Sequence, residues 1–351
     1  MKGKYTRILM RPLTLPLVLC LVVIGLSLGS PLESSPLASP GGSGGRFPNE
    51  PPAWDSGWRD PSGWFVPVHS VGGDSADYVV DVMFKDDGTG HLRGFGGDHV
   101  DYPSPHVGAY WWGLNSVSIH VSKAADDEYV DEARIRIWVV PDSDYDSGWV
   151  DMEDDRTQTL DHNLGGDTDD YLVYAVARHD SPAGYGVHRY GYGRDYRPPP
   201  DGGGYCDEGF GWRNLTTTSI TVSRGDCDLY ADEIRVRIWL APPPQYVIGW
   251  VTLSTMYGLV YSHSWGGPDH DLFLDFSFHN PGDWGVHQMY YGWDSCRGVD
   301  DIVRTYGATW TGFTDGSITL FRGAYDYRAQ EGRLRIWTTN LTSMPAVFRN
   351  H

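Results

Sequence analysis

Cysteine and basic side chains are scarce in this chain of 351 residues, and each shortage excludes a class of function. Only four cysteines occur, and none stands beside a histidine at the spacing of a zinc site. Lysine and arginine number 27 against 46 acidic residues, which gives a formal net charge of -19. Such a surface repels phosphate backbones, so nucleic acid is a poor partner.

Long hydrophobic runs are also missing, except for one near the N-terminus. Residues 17–28 are largely apolar, basic residues precede them, and the small residues Gly29 and Ser30 follow. This order is typical of a secretory signal peptide over residues 1–29. A retained membrane anchor is the alternative, but the run is shorter than the ~20 residues that a span needs. The sequence therefore predicts a secreted, extracellular protein with no membrane span in the mature chain.

A seven-residue motif occurs three times, at residues 132–138, 233–239 and 331–337. With the period of a strand, two arginines and a tryptophan point to one face and aliphatic side chains to the other. The aliphatic face belongs in a core, whereas guanidinium and indole groups suit contact with another module. The predicted contact residues between repeats are Arg134, Arg136, Trp138, Arg235, Arg237, Trp239, Arg333, Arg335 and Trp337.

Three copies of this motif predict three tandem repeats of roughly 90 to 100 residues. The stretch before them is rich in Pro, Ser and Gly, which indicates a disordered linker. The predicted ranges are a signal peptide at 1–29, the linker at 30–52, repeats at 53–141, 142–243 and 244–340, and a C-terminal tail at 341–351.

Alternating apolar and polar residues recur within each repeat, and Gly and Pro interrupt every window that could form a helix. In the first repeat Tyr78, Val80, Val82 and Phe84 share a face and are predicted core residues, with counterparts in the other repeats. Charged neighbours such as Asp81 favour a solvated opposite face. We therefore predict an all-β fold of three tandem antiparallel β-sandwich repeats.

Each repeat also contains a stretch rich in Gly and aromatic residues, in which His precedes Asp by seven residues. A second Asp stands eleven residues before the motif Trp, with a Tyr nearby. Such groups can hydrogen-bond a sugar and stack on it, but a twisted hairpin and local charge partners for the arginines are alternative explanations. The candidate ligand-binding residues are His91, Asp98, Asp127, Tyr129, His188, Tyr192, Asp195, Asp228, Tyr230, His287, Tyr291, Asp294, Asp326 and Tyr327.

A series of short motifs follows the same order in the three repeats and is clearest in the second, which carries Gly148-Trp149, Asn214-Leu215-Thr216, Ile220-Thr221-Val222 and Arg237-Ile238-Trp239-Leu240-Ala241. This order resembles the H-type lectin domain. The resemblance implies a six-stranded antiparallel sandwich that assembles as a trimer and binds N-acetylgalactosamine or related sugars between protomers. Three repeats in one chain could then reproduce the trimer covalently.

One feature of sugar-binding H-type domains is missing from this sequence. Many of them carry a Trp-His pair in the loop before the last strand, and no copy of that loop has either residue in this chain. In the second repeat the loop reads Arg224-Gly225-Asp226-Cys227-Asp228. Asp228 and Tyr230 are candidates to replace the pair.

The leading functional prediction is a multivalent carbohydrate-binding protein without catalytic activity, with glycans or glycoconjugates as partners. A structural or adhesive cell-surface protein that associates with itself is the alternative. An enzyme is not expected, because no catalytic triad, phosphate-binding loop or metal motif is recognisable.

No cofactor is predicted, although calcium is a further candidate ligand. Acidic clusters at residues 126–128 and 167–170 offer oxygen atoms, with solvation of the surface as the alternative role. In an oxidising compartment Cys206 and Cys227, in loops of the same repeat, could form a disulfide and leave Cys296 unpaired.

Overall fold

Strands dominate the part of the chain that the computed structural model describes. The described residues are 47–339 except 62–64, 88–91, 95, 98–107, 124–129, 141, 153–155, 180–185, 190–192, 198–203, 227, 229, 256–257, 264–271, 290–293 and 298–302. They all belong to one compact unit, Gly44–His351. Among them there is no α-helix, only two single turns of 3-10 helix at Ser75–Asp77 and Thr168–Asp170.

The strands are described here in three segments, whose bounds are the ranges of the predicted repeats. Segment 1, residues 53–141, contains β1 (Trp54–Asp55), β2 (Tyr78–Lys85), β3 (Leu92–Gly94), β4 (Gly96–Gly97), β5 (Gly108–Leu114), β6 (His120–Lys123) and β7 (Glu132–Val139). Segment 2, residues 142–243, contains β8 (Tyr145–Asp151), β9 (Thr157–Asp161), β10 (Tyr171–His179), β11 (Gly186–Arg189), β12 (Gly193–Arg197), β13 (Gly204–Glu208), β14 (Phe210–Arg213), β15 (Ser219–Arg224) and β16 (Glu233–Leu240). Segment 3, residues 244–340, contains β17 (Tyr246–Thr252), β18 (Leu259–Ser262), β19 (Leu272–Asn280), β20 (Gly285–His287), β21 (Asp294–Arg297), β22 (Val303–Tyr306), β23 (Ala308–Thr311), β24 (Ser317–Arg322) and β25 (Glu331–Thr338).

The same strand order recurs in the three segments. One sheet runs β1-β7-β2-β3 in segment 1, β8-β16-β10-β11 in segment 2 and β17-β25-β19-β20 in segment 3. A second sheet runs β9-β15-β14 in segment 2 and β18-β24-β23 in segment 3, while in segment 1 β5 pairs with β6. Every pairing is antiparallel, so the prediction of an all-β fold with antiparallel sheets is confirmed.

Alternation places the aliphatic side chains of the repeated motif in the cores. In segment 2, Ile234, Val236 and Ile238 of β16 pack with Trp212 and Ile220 of the facing sheet. The corresponding residues of β7 and β25 are buried in the cores of their own segments. Burial of one such side chain contributes about 1.5–3 kcal/mol, which makes these sandwich-like cores the main source of stability.

The opposite face of the central strands is buried as well, contrary to the sequence prediction of a solvated face. Val79, Leu172 and Phe273 all lie on this face and are buried, and so is Asp275. Met83 packs into the core cluster of segment 3 although it belongs to segment 1. Periodicity within one repeat could not reveal this burial, because the covering atoms come from other segments.

Candidate functional site

Equivalent strands connect each segment to the next. β5 of segment 1 pairs with β11 of segment 2, with Leu114 opposite Val187 and Trp111 opposite Arg189. The same kind of contact joins β14 of segment 2 to β20 of segment 3, where Leu215 bridges to Val286. β23 of segment 3 contacts β3 of segment 1. The contacts therefore run from segment 1 to 2, from 2 to 3, and from 3 to 1.

In segments 2 and 3 the second arginine of the motif reaches across these junctions. Arg237 donates to the carbonyl oxygens of Tyr78, at 2.6 Å, and Val140, at 3.0 Å, both in segment 1. Arg335 donates to the carbonyl oxygens of Asp169, at 2.5 Å, and Tyr171, both in segment 2. Burial lowers the pKa of Arg237 to about 10, which still leaves the guanidinium charged at neutral pH.

The first arginine of the motif forms ion pairs with nearby carboxylates. Arg134 pairs with Asp55 within segment 1, and Arg333 pairs with Asp169 of segment 2. Arg235 pairs with Asp146 and also donates to the carbonyl oxygen of Ala76 in segment 1, at 2.7 Å. Arg235 and Arg333 thus contact the preceding segment, as Arg237 and Arg335 do.

The motif tryptophans make the same hydrogen bond three times. The indole Nε1 of Trp138 donates to the carbonyl oxygen of Glu50 at 2.8 Å. The indole Nε1 of Trp239 donates to the carbonyl oxygen of Asp142, and that of Trp337 donates to the carbonyl oxygen of Pro242, each at 2.7 Å. All three indoles are buried in one cluster that contains residues of all three segments. Because the polar edge of each ring is satisfied by a carbonyl, apolar ring surface faces the cluster.

A polar layer lies beside the tryptophan cluster, around a cavity of about 30 Å³ that all three segments line. Asp81, Tyr174 and Asp275 occupy equivalent register positions, opposite the second motif arginines. Asp275 accepts hydrogen bonds from Arg335 and Gln288, at 2.9 and 3.0 Å. A buried water needs roughly 10–15 Å³, so the cavity has room for about two waters.

The predicted ligand histidines of segments 2 and 3 are fully buried. His188 donates from Nδ1 to the carbonyl oxygen of Gly186 at 2.9 Å. His287 donates from Nε2 to the carbonyl oxygen of Arg328 at 3.1 Å. Burial lowers the pKa of His188 to about 4 and that of His287 to about 3. Both rings are therefore neutral and enclosed by protein at neutral pH.

His91 lies outside the described residues. His188 stands opposite Ala177, and His287 stands opposite Phe278. In segment 1 the residue opposite Phe84 is Arg93. Arg93 therefore occupies in segment 1 the register position that His188 and His287 occupy in segments 2 and 3.

The predicted ligand aspartates Asp228 and Asp326 hold the loop before the last strand. Asp228 accepts from the backbone N–H groups of Gly209, Tyr230 and Ala231 at 2.7–2.8 Å. Asp326 accepts from the equivalent three groups at 2.7–2.9 Å. These carboxylates are buried and bonded to the protein itself, and this arrangement fixes the loop identically in two segments.

Tyr327 is the most exposed of the predicted ligand residues that the structure describes, at 57%. The guanidinium of Arg328 lies 4.9 Å from its ring centroid and 4.1 Å from that of Trp284. Arg213 of segment 2 lies 5.5 Å from the same Trp284 ring. Tyr327 therefore belongs to a row of aromatic and guanidinium groups at the junction of segments 2 and 3.

Sequence reasoning missed Trp284, Arg213 and Arg328, since none of them belongs to a landmark shared by all three repeats. Tyr230 is partly buried, with its ring 5.9 Å from that of His179. Asp195 and Asp294 lie in β12 and β21, and their side chains are outside the described set. The other predicted ligand residues lie outside the described residues: Asp98, Asp127, Tyr129, Tyr192 and Tyr291.

The candidate calcium cluster of segment 2 is engaged by the protein itself. Asp167 accepts from the N–H group of Asp169 at 2.9 Å, and Asp169 pairs with Arg333. No group of His, Cys, Asp or Glu with metal-binding geometry occurs in the described part of the chain. Residues 126–128 lie outside that part, as does Cys227, and Cys206 is described only by its backbone in β13.

None of the helical turns in the described ranges is long and apolar enough to cross a membrane. A scan against models of protein families finds no match for this chain, and neither curated protein sequences nor solved structures yield one.

Proposed function

We propose that this is a secreted, non-enzymatic, multivalent carbohydrate-binding protein whose three segments form an intramolecular pseudo-trimer. The observation that supports it best is the set of contacts between segments. Equivalent strands meet at each junction, and Arg237 and Arg335 each bond to backbone carbonyls of the preceding segment. This is the arrangement that three H-type lectin-like domains, joined in one chain, would require.

The junction of segments 2 and 3 is the proposed sugar site among the described residues. A pyranose ring can stack on the exposed ring of Tyr327, and the guanidinium of Arg328 can donate to its hydroxyl groups. Asp326 and His287 act behind this surface, since they fix the loop and its backbone. Single contacts of this kind are weak, and several sites in one molecule raise avidity on a repetitive glycan.

The proposal is tested by glycan-array binding of the purified protein, followed by calorimetry with the best ligand. Tyr327→Ala should weaken binding about 2-fold to 10-fold per site, because one aromatic contact contributes ~0.5–1.5 kcal/mol. Tyr325→Ala, at a second exposed tyrosine of the same loop, is the matched control and should bind normally. Addition of EDTA should change nothing, and a chromogenic glycoside should not be hydrolysed.

A structural or adhesive protein without sugar binding is the second candidate. The burial of His188, His287, Asp228 and Asp326 favours it, because these polar groups serve the fold. No binding to any glycan, combined with self-association in sedimentation experiments, would replace the lectin proposal with this one.

A further inference from the structure

Residues 47–52, which precede segment 1, are here called the N-terminal segment. One aromatic side chain from this N-terminal segment is inserted where the three numbered segments meet. Phe47 precedes the first strand and is only 4% exposed. Its ring centroid lies 5.9 Å from that of Trp138, 5.3 Å from Trp239 and 5.1 Å from Phe273. These three contacts reach segments 1, 2 and 3 in turn, so a single side chain touches the whole assembly.

The aromatic socket around Phe47 consists of Trp138, Trp239 and Phe273, whose rings contact it, and of Trp337, which belongs to the same buried cluster. Phe273 contacts Trp138 and Trp337 at centroid distances of 5.6 and 6.1 Å. Each indole N–H is already bonded to a carbonyl oxygen, so the socket offers no free indole donor to a ligand. Its chemistry therefore suits a planar apolar ring, held by edge and face contacts with other rings.

Strand register explains why there is space for one more ring. Val79, Leu172 and Phe273 stand opposite Trp138, Trp239 and Trp337. Two segments contribute an aliphatic side chain at this position and one contributes a ring, so the three central strands do not fill the centre by themselves. Phe47 supplies the missing volume, and beyond it lies the cavity of about 30 Å³.

The N-terminal segment is anchored at a second point. The carbonyl oxygen of Glu50 accepts the Trp138 indole hydrogen bond, as those of Asp142 and Pro242 do for the other indoles. Asp142 and Pro242 follow the strands β7 and β16, whereas no described strand precedes Glu50. The N-terminal segment can therefore turn its phenylalanine inward without disturbing a sheet.

We propose that the aromatic socket is a binding site for an apolar aromatic ring, which Phe47 of the same chain occupies in cis. Removal of the Phe47 side chain leaves a site that accepts a free arene of similar size. The site is independent of sugar binding, because neither Tyr327 nor any other proposed sugar contact lines it.

The full-length chain with Phe47→Ala, probed with 4-fluorotoluene, tests this proposal. The melting temperature should fall by about 5–8 °C, the cost of removing a buried phenylalanine from a protein of this size. In ¹⁹F NMR the variant should show a bound signal that the unaltered protein lacks. Ligand at ten times its Kd should restore about 2 °C. Phe47→Leu keeps most of the volume filled and should neither bind the arene nor lose as much stability.

Three results would overturn the proposal. They are a Phe47→Ala melting temperature within about 1 °C of the original, an absent bound signal, or equal binding by the unaltered protein. If methylcyclohexane binds as tightly as the arene does, the preference for aromatic rings is refuted. Dimerisation that Phe47→Ala abolishes would mean that the phenylalanine fills the socket of a second copy. If Phe47→Ala does not fold, Phe47→Val with fluorobenzene replaces it, and the same outcomes apply.

Discussion

Burial forces His188 and His287 into the neutral form. Each ring keeps one hydrogen bond to a backbone carbonyl, from Nδ1 in His188 and from Nε2 in His287. Loss of solvation is the main cause of the lowered pKa in both cases, since a protonated ring inside the sandwich would have no water around it. The native state therefore resists protonation at a pH where an exposed histidine takes up a proton.

This difference predicts that the protein loses stability as the pH falls below the pKa of an unfolded histidine. An unfolded histidine has a pKa near 6.5, above the native values of about 4 and about 3. The stabilising contribution is therefore present above pH 6.5 and is lost as the pH falls, down to about 4 for His188 and about 3 for His287. At pH 4.5 the loss should be of the order of 2–3 kcal/mol for each histidine. Urea unfolding at pH 7 and pH 4.5 measures it.

The double variant His188→Gln and His287→Gln should reduce the free energy of unfolding at pH 7 and should also flatten its decline with pH. His279→Gln is the control, because that imidazole is partly exposed and paired with Glu331. An unchanged pH dependence in the double variant would contradict the assignment.

The strands that meet at the junctions lie so close together that some positions have no room for a side chain. Gly211 of β14 is an example, because a Cβ there would lie 2.7 Å from Met289 Sδ and 3.3 Å from Met289 Cα. Three residues further on, Asn214 has a φ of 51°, and Gly113 and Gly312 occupy the equivalent positions with φ of 63° and 61°. The chain thus makes the same left-handed turn at each junction.

Within a repeat, sequence patterns predicted the elements well. The alternation of β2 identified its core residues. Sequence patterns did not predict which polar side chains are buried and hydrogen-bonded within the protein. Asp228 and His188 look alike in a sequence whether they face a ligand or a loop, and the difference depends on long-range neighbours.

Substitution of Gly211 tests whether β14 and β20 need their close contact. Gly211→Val should destabilise the protein by about 1–3 kcal/mol, because the new side chain displaces backbone of segment 3. Gly316→Val is the matched control, since nothing lies within 4 Å of a Cβ there. Thermal unfolding of both variants gives the comparison, and equal melting temperatures would mean that the junction is easily displaced.

The whole molecule has an uneven set of charges at its centre. Asp81 and Asp275 stand opposite Arg136 and Arg335, whereas Tyr174 stands opposite Arg237. The Tyr174 hydroxyl instead accepts from the backbone N–H of Val80 in segment 1, at 2.9 Å. At this position segments 1 and 3 each contain an ion pair, Arg136 with Asp81 and Arg335 with Asp275. Segment 2 has no carboxylate at the equivalent position and instead bonds to main-chain groups of segment 1.

These cross-segment bonds predict that the three segments unfold together. Arg237→Met keeps the apolar stem but removes both donors to the carbonyls of Tyr78 and Val140, which should cost about 2–4 kcal/mol. Arg59→Met, at an exposed arginine, should stay within about 0.5 kcal/mol of the original. Because the carbonyl acceptors of segment 1 lose their donors while segment 2 loses the guanidinium, both segments are affected, and the whole denaturation curve should shift as one transition. Tryptophan emission and far-ultraviolet circular dichroism should give the same midpoint. Separate midpoints, with one segment melting early, would show that the junctions do not couple the segments.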